Sequence, residues 1–407
     1  MKSKHITFIG INFYPEDTAI GLYSTQMIRH LENLGYDIEI VTGFPYYPQW
    51  KIKDNYSRKP KYFEEKLGNI RILRYKQYVP SNPTFLKRVL HLVDFTIGSF
   101  FNLKKIKKTN LIICVVPFTS TIALGLWLKR RHKAKMWVHI QDFEFDAAAQ
   151  TLISDSGRVK KGLFKWLFTM EKTLLNKADL SSTISKTMLN KLKSKTKVDT
   201  IYFPNWIDIN QINPESSKTH TYLNSKNFKI LYSGNVGDKQ DWGLFVELVK
   251  MIQQTDKIEL IVVGQGSRFE WLKGQLKNKN FVRFYEPVPY EELSDLLCAA
   301  DLHILFQKQQ VLDTVMPSKL LGMMASGVPS LVVGNSSSEV KEILNESQGG
   351  IYLDTYDINL VYNQILDFSN NNRKILQMGI NARKYVSDNF SKENVLKNLN
   401  KIIDELV

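Results

Sequence analysis

FKILYSGNVG, residues 228–237, is the stretch on which the fold turns. An apolar run closed by a glycine turn predicts a strand buried on both faces, with no wet side. The residues downstream repeat the pattern: a helical period over 242–253, IELIVVGQG (258–266), a second helix over 268–277, then FVRFY (281–285), DLHILF (301–306) and PSLVVG (329–334). Such strands separated by helices predict a parallel sheet covered on both faces. Just upstream, FPNWIDINQINPESSKTH (203–220) breaks the alternation with Pro204, Asn205, Pro214 and a polar run, and reads as a linker. Before the linker the alternation is already present: HITFIGI (5–11), a helix over 24–34, DIEIVTG (37–43), LIICVV (111–116), KMWVHI (135–140) and ADLSSTI (178–184). The chain is therefore expected to be α/β, two doubly wound domains over 1–204 and 205–390, with Ser391 capping a last amphipathic helix within 391–407. Two such domains facing each other would leave a cleft along the carboxyl ends of both sheets, where open α/β sheets take ligands.

Bulk properties agree with two cores. A chain of 407 residues, 43% hydrophobic and 23% charged, is that of a folded globular protein and excludes disordered and fibrous classes. Its two cysteines, Cys114 and Cys298, sit inside apolar runs and read as small buried hydrophobes, which excludes a disulfide framework and suits a reducing cytoplasm. The opening MKSKHITFIGINF breaks at Asn12 and Pro15, too soon for a secretory leader, and the apolar stretch 85–103 carries Lys87, Arg88, His91 and Asp94, which argue against a membrane span. A cytoplasmic protein is expected.

The formal charge of +15 asks for a partner. Basic residues gather in the first half, at 104–108, at 129–135, and at Arg158, Lys160, Lys161 and Lys165. The last group opens RVKKGLFKWLFTMEKTLL, where Leu163, Phe164, Trp166, Leu167, Phe168 and Met170 lie beside lysines. Such a helix can lie on anionic lipid, or it can pack on a sheet with a solvated basic face. Nucleic acid is the weaker partner, because no binding module underlies the charge.

Three constellations carry chemistry. Ser233, Gly234, Asn235, Val236 and Gly237 follow the strand KILY directly, with Lys239 just beyond, and form a plausible cradle for a diphosphate. Gly264 and Gly266 close the next strand, and Gly21 precedes the first helix. In DTVMPSKLLGMMASGVPSLVVG, Pro317, Ser318 and Lys319 stand at a helix start. A hydroxyl, backbone N–H groups and an ammonium there suit a phosphate that must leave with two negative charges. The same residues also make an ordinary Ser cap with a surface lysine. In HIQDFEFDAA, His139 ends a strand and Asp142, Glu144 and Asp146 come next, a place from which a side chain can orient or deprotonate an acceptor hydroxyl, or merely a solvated acidic loop. No clear spacing marks these carboxylates as a metal site, and a metal-free reading is preferred.

With these motifs in place, the chain resembles the retaining glycosyltransferases of family 4, which have the GT-B fold of two Rossmann-like domains facing across a cleft. GFPYYPQW, HIQDFEFDAA, FPNWID, YSGNVGDKQ and DTVMPSKLLGMMASG resemble the branch that transfers L-fucosamine or fucose in O-antigen, capsule and colanic-acid assembly. The resemblance implies a nucleotide-sugar donor on the second domain, an acceptor on the first, and a last helix crossing back to the first domain. It implies that Gly21 approaches the donor phosphate, that Gly234 and Lys239 contact the diphosphate, that Ser318 and Lys319 meet the β-phosphate, that Glu286 to Val288 hold the base, and that Asp142 lies near the acceptor. Where the family has two glutamates, this chain has Thr314 and Gly322, with Asp313 beside the first; where it has an arginine after the loop glycine, this chain has Asn235. Lys239 and Lys319 would then supply the missing charge, and Asp313 would meet the sugar hydroxyls.

The expected activity is transfer of N-acetyl-L-fucosamine or a related 6-deoxy sugar to a polyprenyl-diphosphate-linked saccharide, at the inner face of a bacterial membrane. The donor would be a UDP-sugar, with a GDP-sugar as the second choice, and no cofactor would be required. A nucleotide-sugar 2-epimerase of the same architecture, and a partner that has lost catalysis, are the alternatives. Oligomeric state is not legible.

Overall fold

The structure, a computed structural model, describes residues 4–117, 119–146, 149, 158–310 and 318–407. The chain divides into two compact units, 1–204 with 396–407, and 205–395.

In the first unit the order is β1 (His5–Ile9), α1 (Ala19–Asn33), β2 (Asp37–Gly43), α2 (Asp54–Ser57), β3 (Tyr62–Leu67), β4 (Ile70–Tyr75), α3 (Phe85–Leu103), β5 (Leu111–Val116), α4 (Ser120–His132), β6 (Lys135–Ile140), α5 (Arg158–Leu175), β7 (Leu180–Thr183), α6 (Lys186–Lys195) and β8 (Thr200–Tyr202). Eight strands form one sheet in the order β3-β4-β2-β1-β5-β6-β7-β8. Only β3 runs antiparallel, against β4. The core strand β5 is buried at every position, as a strand covered on both faces must be.

In the second unit come β9 (Phe228–Ser233), α7 (Trp242–Met251), β10 (Ile258–Val263), α8 (Phe269–Leu276), β11 (Val282–Tyr285), α9 (Leu293–Cys298), β12 (Leu302–Phe306), α10 (Ser318–Ala325), β13 (Ser330–Val333), α11 (Glu339–Ser347), β14 (Gly350–Leu353), α12 (Ile358–Asn370) and α13 (Asn372–Phe390). The sheet order is β11-β10-β9-β12-β13-β14, and every pair is parallel. Strand order reverses between β9 and β12, so the crevice at their carboxyl ends is the topological switch point of this sheet. In the first sheet the same reversal falls between β1 and β5.

The last helix, α14 (Lys392–Leu406), starts after Ser391, whose Oγ accepts the Asn394 N–H at 3.4 Å. From Leu396 onward the chain belongs to the first unit, where Asn400 Oδ1 lies 2.9 Å from His30 Nε2. The segment that reads as a linker is tied down. Arg383 on α13 donates to the carbonyls of Ile212 (2.8 Å) and Ile209 (3.2 Å), and Ile207 N–H donates to Phe390 O at 2.9 Å.

Other expectations change in detail. Helix α1 begins at Ala19 instead of 24, which puts Gly21 inside it instead of before it. Cys114 is buried and Cys298 half-buried, both free. The basic helix α5 turns its apolar residues mostly inward: Phe164 is buried, Leu167, Phe168 and Met170 are half-buried, and Trp166 is 60% exposed. The side chains of Arg158, Lys160, Lys161 and Leu163 lie outside the described residues. Among the described residues no helix is long and apolar enough to cross a membrane.

Candidate functional site

At the switch point of the second sheet, the chain leaves β9 through Gly234, whose φ of +128° is open to glycine alone without strain. A Cβ at this position would lie 2.4 Å from Lys319 Cε and 2.8 Å from Lys319 Nζ, so the bare Cα is what lets the lysine lie on the loop. Lys319 stands in the first turn of α10, which comes after β12 on the other side of the crevice. Its Nζ donates to Tyr232 Oη at 2.7 Å and to Asn235 O at 3.3 Å, and Tyr232 Oη–H donates to the same carbonyl at 2.6 Å. Burial pushes the Lys319 ammonium down to about 8, because the charged form loses hydration. Burial also raises the Tyr232 hydroxyl, which stays neutral.

The loop is braced from below. Gly264 Cα lies against the Gly234 carbonyl, so close that a Cβ would come within 2.0 Å of the oxygen. Val236 N–H donates to Gln265 O at 2.9 Å, and Trp242 Nε1–H donates to Gly237 O at the same distance. Gly264, which closes β10, thus packs directly on this loop. Asn235 and Lys239 are exposed; Lys239 O accepts the Lys308 N–H at 3.1 Å. Beyond β11, Glu286 is exposed and Val288 half-buried. Asp313, Thr314 and Pro317 lie outside the described residues, as does the side chain of Ser318, whose backbone opens α10. The arrangement holds a half-buried ammonium above a glycine turn, a place where a diphosphate oxygen can replace the hydroxyl and carbonyl that now hold Nζ.

In the first unit, Gly21 is buried in the opening of α1, where a Cβ would meet Glu16 Cβ at 2.6 Å. Glu16 is 2% exposed; Oε1 accepts the N–H groups of Tyr46 (2.8 Å) and Tyr47 (2.9 Å), and Oε2 accepts Asn12 Nδ2–H at 2.8 Å. Burial raises its carboxyl despite those donors. Glu16 thereby fixes the β1–α1 loop to GFPYYPQW. On the other side of this switch point, Glu144 Oε2 accepts the Thr119 N–H at 3.0 Å before α4. Burial first, and then the charges of Glu171 and Asp142, push the Glu144 carboxyl up to about 7.

The acidic loop is thus divided in its roles. Asp142 is half-buried beside Glu144, while Asp146 is paired with Lys191 (2.7 Å) and Lys195 (2.6 Å). His139 is corrected outright: it is buried in β6, 2.8 Å from Ser182 Oγ and 2.9 Å from Gln141 Nε2, and burial drives it down to about 3. Enclosed in the sheet with a hydrogen-bond partner at each ring nitrogen, this imidazole has no open face for an acceptor hydroxyl. Among the described residues no three His, Cys, Asp or Glu side chains converge to hold a metal.

Comparison with known proteins decides the family. WcaI of Escherichia coli (strain K12), named as a colanic acid biosynthesis glycosyl transferase, is 34% identical over 359 residues, covering 84% of this chain and 86% of that protein. The family model described as glycosyl transferases group 1 matches residues 215–385.

The chain belongs to the group 1 glycosyltransferases.

The fold of this glycosyltransferase is GT-B. It matches sucrose-phosphate synthase from Thermosynechococcus elongatus with a TM-score of 0.75 at 14% identity, over 99% of each chain. It also matches HepE of Anabaena, in complex with UDP-glucose, with a TM-score of 0.65 at 13% identity, over 99% of this chain and 100% of that one. The family match falls wholly within the unit that carries Gly234 and Lys319 in this glycosyltransferase. Sequence reasoning does not reach Tyr232 and Glu16. The one signal for Tyr232 is a phenol directly after the apolar Ile230 and Leu231, which needs a hydrogen-bond partner when buried.

Proposed function

We propose that this glycosyltransferase moves N-acetyl-L-fucosamine or a related 6-deoxy sugar from a UDP-sugar to a polyprenyl-diphosphate-linked saccharide in bacterial surface polysaccharide assembly. One observation carries the reading: the half-buried Lys319 ammonium held across the β9–β12 switch point on Gly234. A cation there is worth most to a diphosphate whose charge grows as it departs. The colanic acid name of WcaI and the UDP-glucose complex of HepE support the pathway and the uridine donor. A GDP-sugar is the second choice.

In the proposed reaction the bond from the anomeric carbon to the diphosphate oxygen breaks while the acceptor hydroxyl bonds to that carbon. The hydroxyl proton passes to the departing phosphate, so no strong protein base and no metal is required, and configuration is retained. Lys319, with Lys239 and the amino end of α10 (Pro317, Ser318), neutralises the leaving group. Asn235 lines the loop, the stretch Glu286 to Val288 holds the base, Gly21 admits the donor phosphate, Asp313 meets sugar hydroxyls, and Asp142 orients the acceptor. Because such an acceptor is anchored in lipid, the chain is proposed to work at the inner face of the membrane.

The test is incubation of the full chain with radiolabelled UDP-N-acetyl-L-fucosamine and polyprenyl-diphosphate-linked N-acetylhexosamine. Label appearing in the lipid extract supports transfer. Conversion of donor without acceptor would make the chain an epimerase, and binding without turnover would make it an inactive partner.

A further inference from the structure

Helix α3 has two opposite faces of unlike use. Its inner face is committed to the sheet: Phe95, Ser99, Asn102 and Leu103 are buried. Tyr75 Oη–H donates to Asp94 Oδ1 at 2.8 Å, and Tyr78 N–H donates to the other oxygen at 2.6 Å. Gly98 lies directly on the Tyr75 ring, where a Cβ would come within 2.1 Å. The helix is therefore firmly seated, and its outer face is not an accident of loose packing. That face carries Leu86 (72% exposed), Leu90 (58%), Val93 (43%), Ile97 (58%) and Phe101 (49%). They recur every three or four residues for four turns, the period of one helix stripe. A helix at the surface of a soluble domain shows polar groups there; a continuous apolar stripe marks an interface.

The charge around the stripe selects the occupant. Lys87 and Arg88 stand at its amino end, and Lys104 and Lys105 at its carboxyl end, all exposed. Lys104 Nζ lies 5.2 Å from the Phe101 ring, so the ammonium rides at the edge of the apolar surface. The single acid of the helix, Asp94, is spent on Tyr75 and Tyr78. A second copy of a chain of formal charge +15 would bring these same basic ends together. An anionic bilayer brings phosphates to the lysines and acyl chains to the stripe.

We propose that α3 seats the chain in the interface of an anionic bilayer, with Leu86, Leu90, Val93, Ile97 and Phe101 in the acyl boundary and the four flanking cations at the headgroup phosphates. The inference rests on the lipid-linked acceptor reading, and it moves the membrane contact from α5, where Trp166 stands exposed, to α3.

Co-sedimentation of the full chain with phosphatidylglycerol–phosphatidylcholine vesicles tests it without nucleotide or turnover, so its failure is separable from failure of the transfer assay. The parent chain is expected to bind these vesicles and not pure phosphatidylcholine. Leu90→Asp/Ile97→Asp and Lys104→Glu/Lys105→Glu should each weaken binding by about tenfold or more while leaving the melting temperature in place. Trp166→Ala should bind as the parent does. Stripe variants that sediment like the parent would overturn the proposal, as would a parent that ignores anionic vesicles. So would a dimer in ultracentrifugation that the stripe variants dissolve.

Discussion

Lys319 joins burial, charge and backbone geometry at one atom. Its ammonium is held down to about 8 in the ligand-free protein, whereas a bound diphosphate would hold the proton more firmly. Affinity for UDP should therefore fall as pH rises through about 8, approaching tenfold per pH unit above it, as titration calorimetry would read. Stability of the ligand-free chain runs the other way. The unfolded lysine binds its proton up to its ordinary 10.5 while the folded one releases it near 8, so stability rises with pH across that window. Lys319→Arg cannot titrate there and should flatten both profiles. Lys319→Ala should lower kcat/KM by about 10²–10³ in the transfer assay. Glu144 gives a second residue-level outcome. Its carboxyl moves from 4.5 to about 7, so the stability it contributes is complete below 4.5 and is lost as pH rises through 7. Glu144→Gln keeps an acceptor for the Thr119 N–H and should raise stability above pH 7 by about 1–2 kcal/mol in denaturant titrations.

Among the elements, the β9–α7 turn and helix α3 are the most exacting. Gly234→Ala would place a methyl group on Lys319 at a positive φ, costing about 1–3 kcal/mol by chemical denaturation and dislodging the ammonium. The observable result should be a lost UDP response in a folded protein. Gly98→Ala would drive a methyl group into the Tyr75 ring and destabilise the first unit by about 1–3 kcal/mol or more, with UDP binding retained. The elements also differ in how plainly the sequence announces them. β5 is legible because a parallel strand buried on both faces leaves an unbroken apolar run, and β9 and β10 because Lys229 and Glu259 interrupt their runs only near the start. β3 is not, since YFEEKL sits at an edge and alternates half-buried with exposed residues. β14 escapes notice because GIYL is short and only half-buried throughout. The start of α1 is obscured because Thr18 supplies no side-chain cap and Ala19 enters at φ +48°.

Over the whole molecule, two sheets of the same strand logic give two switch points, and residues proposed to carry chemistry stand at both. Position along the chain is enough to mark Gly234 and Lys319, because each stands at a strand-to-helix turn. Tyr232 and Glu16 are hidden for the opposite reason: their roles lie in partners 87 and about 30 positions away, Lys319 and Tyr46, which no local pattern encodes. His139 misleads because a strand's last residues read alike whether they face solvent or the next strand. Gly234 and Lys319 are proposed to build a uridine diphosphate donor site. That proposal is tested most directly by thermal unfolding of the full chain with UDP, GDP and ADP, in parallel with Lys319→Ala. A selective rise with UDP, about 2.7 kcal/mol of stabilisation at a hundredfold excess over Kd and absent from the variant, is the predicted result. No shift with any nucleotide, or a UDP shift that survives Lys319→Ala unchanged, would contradict it.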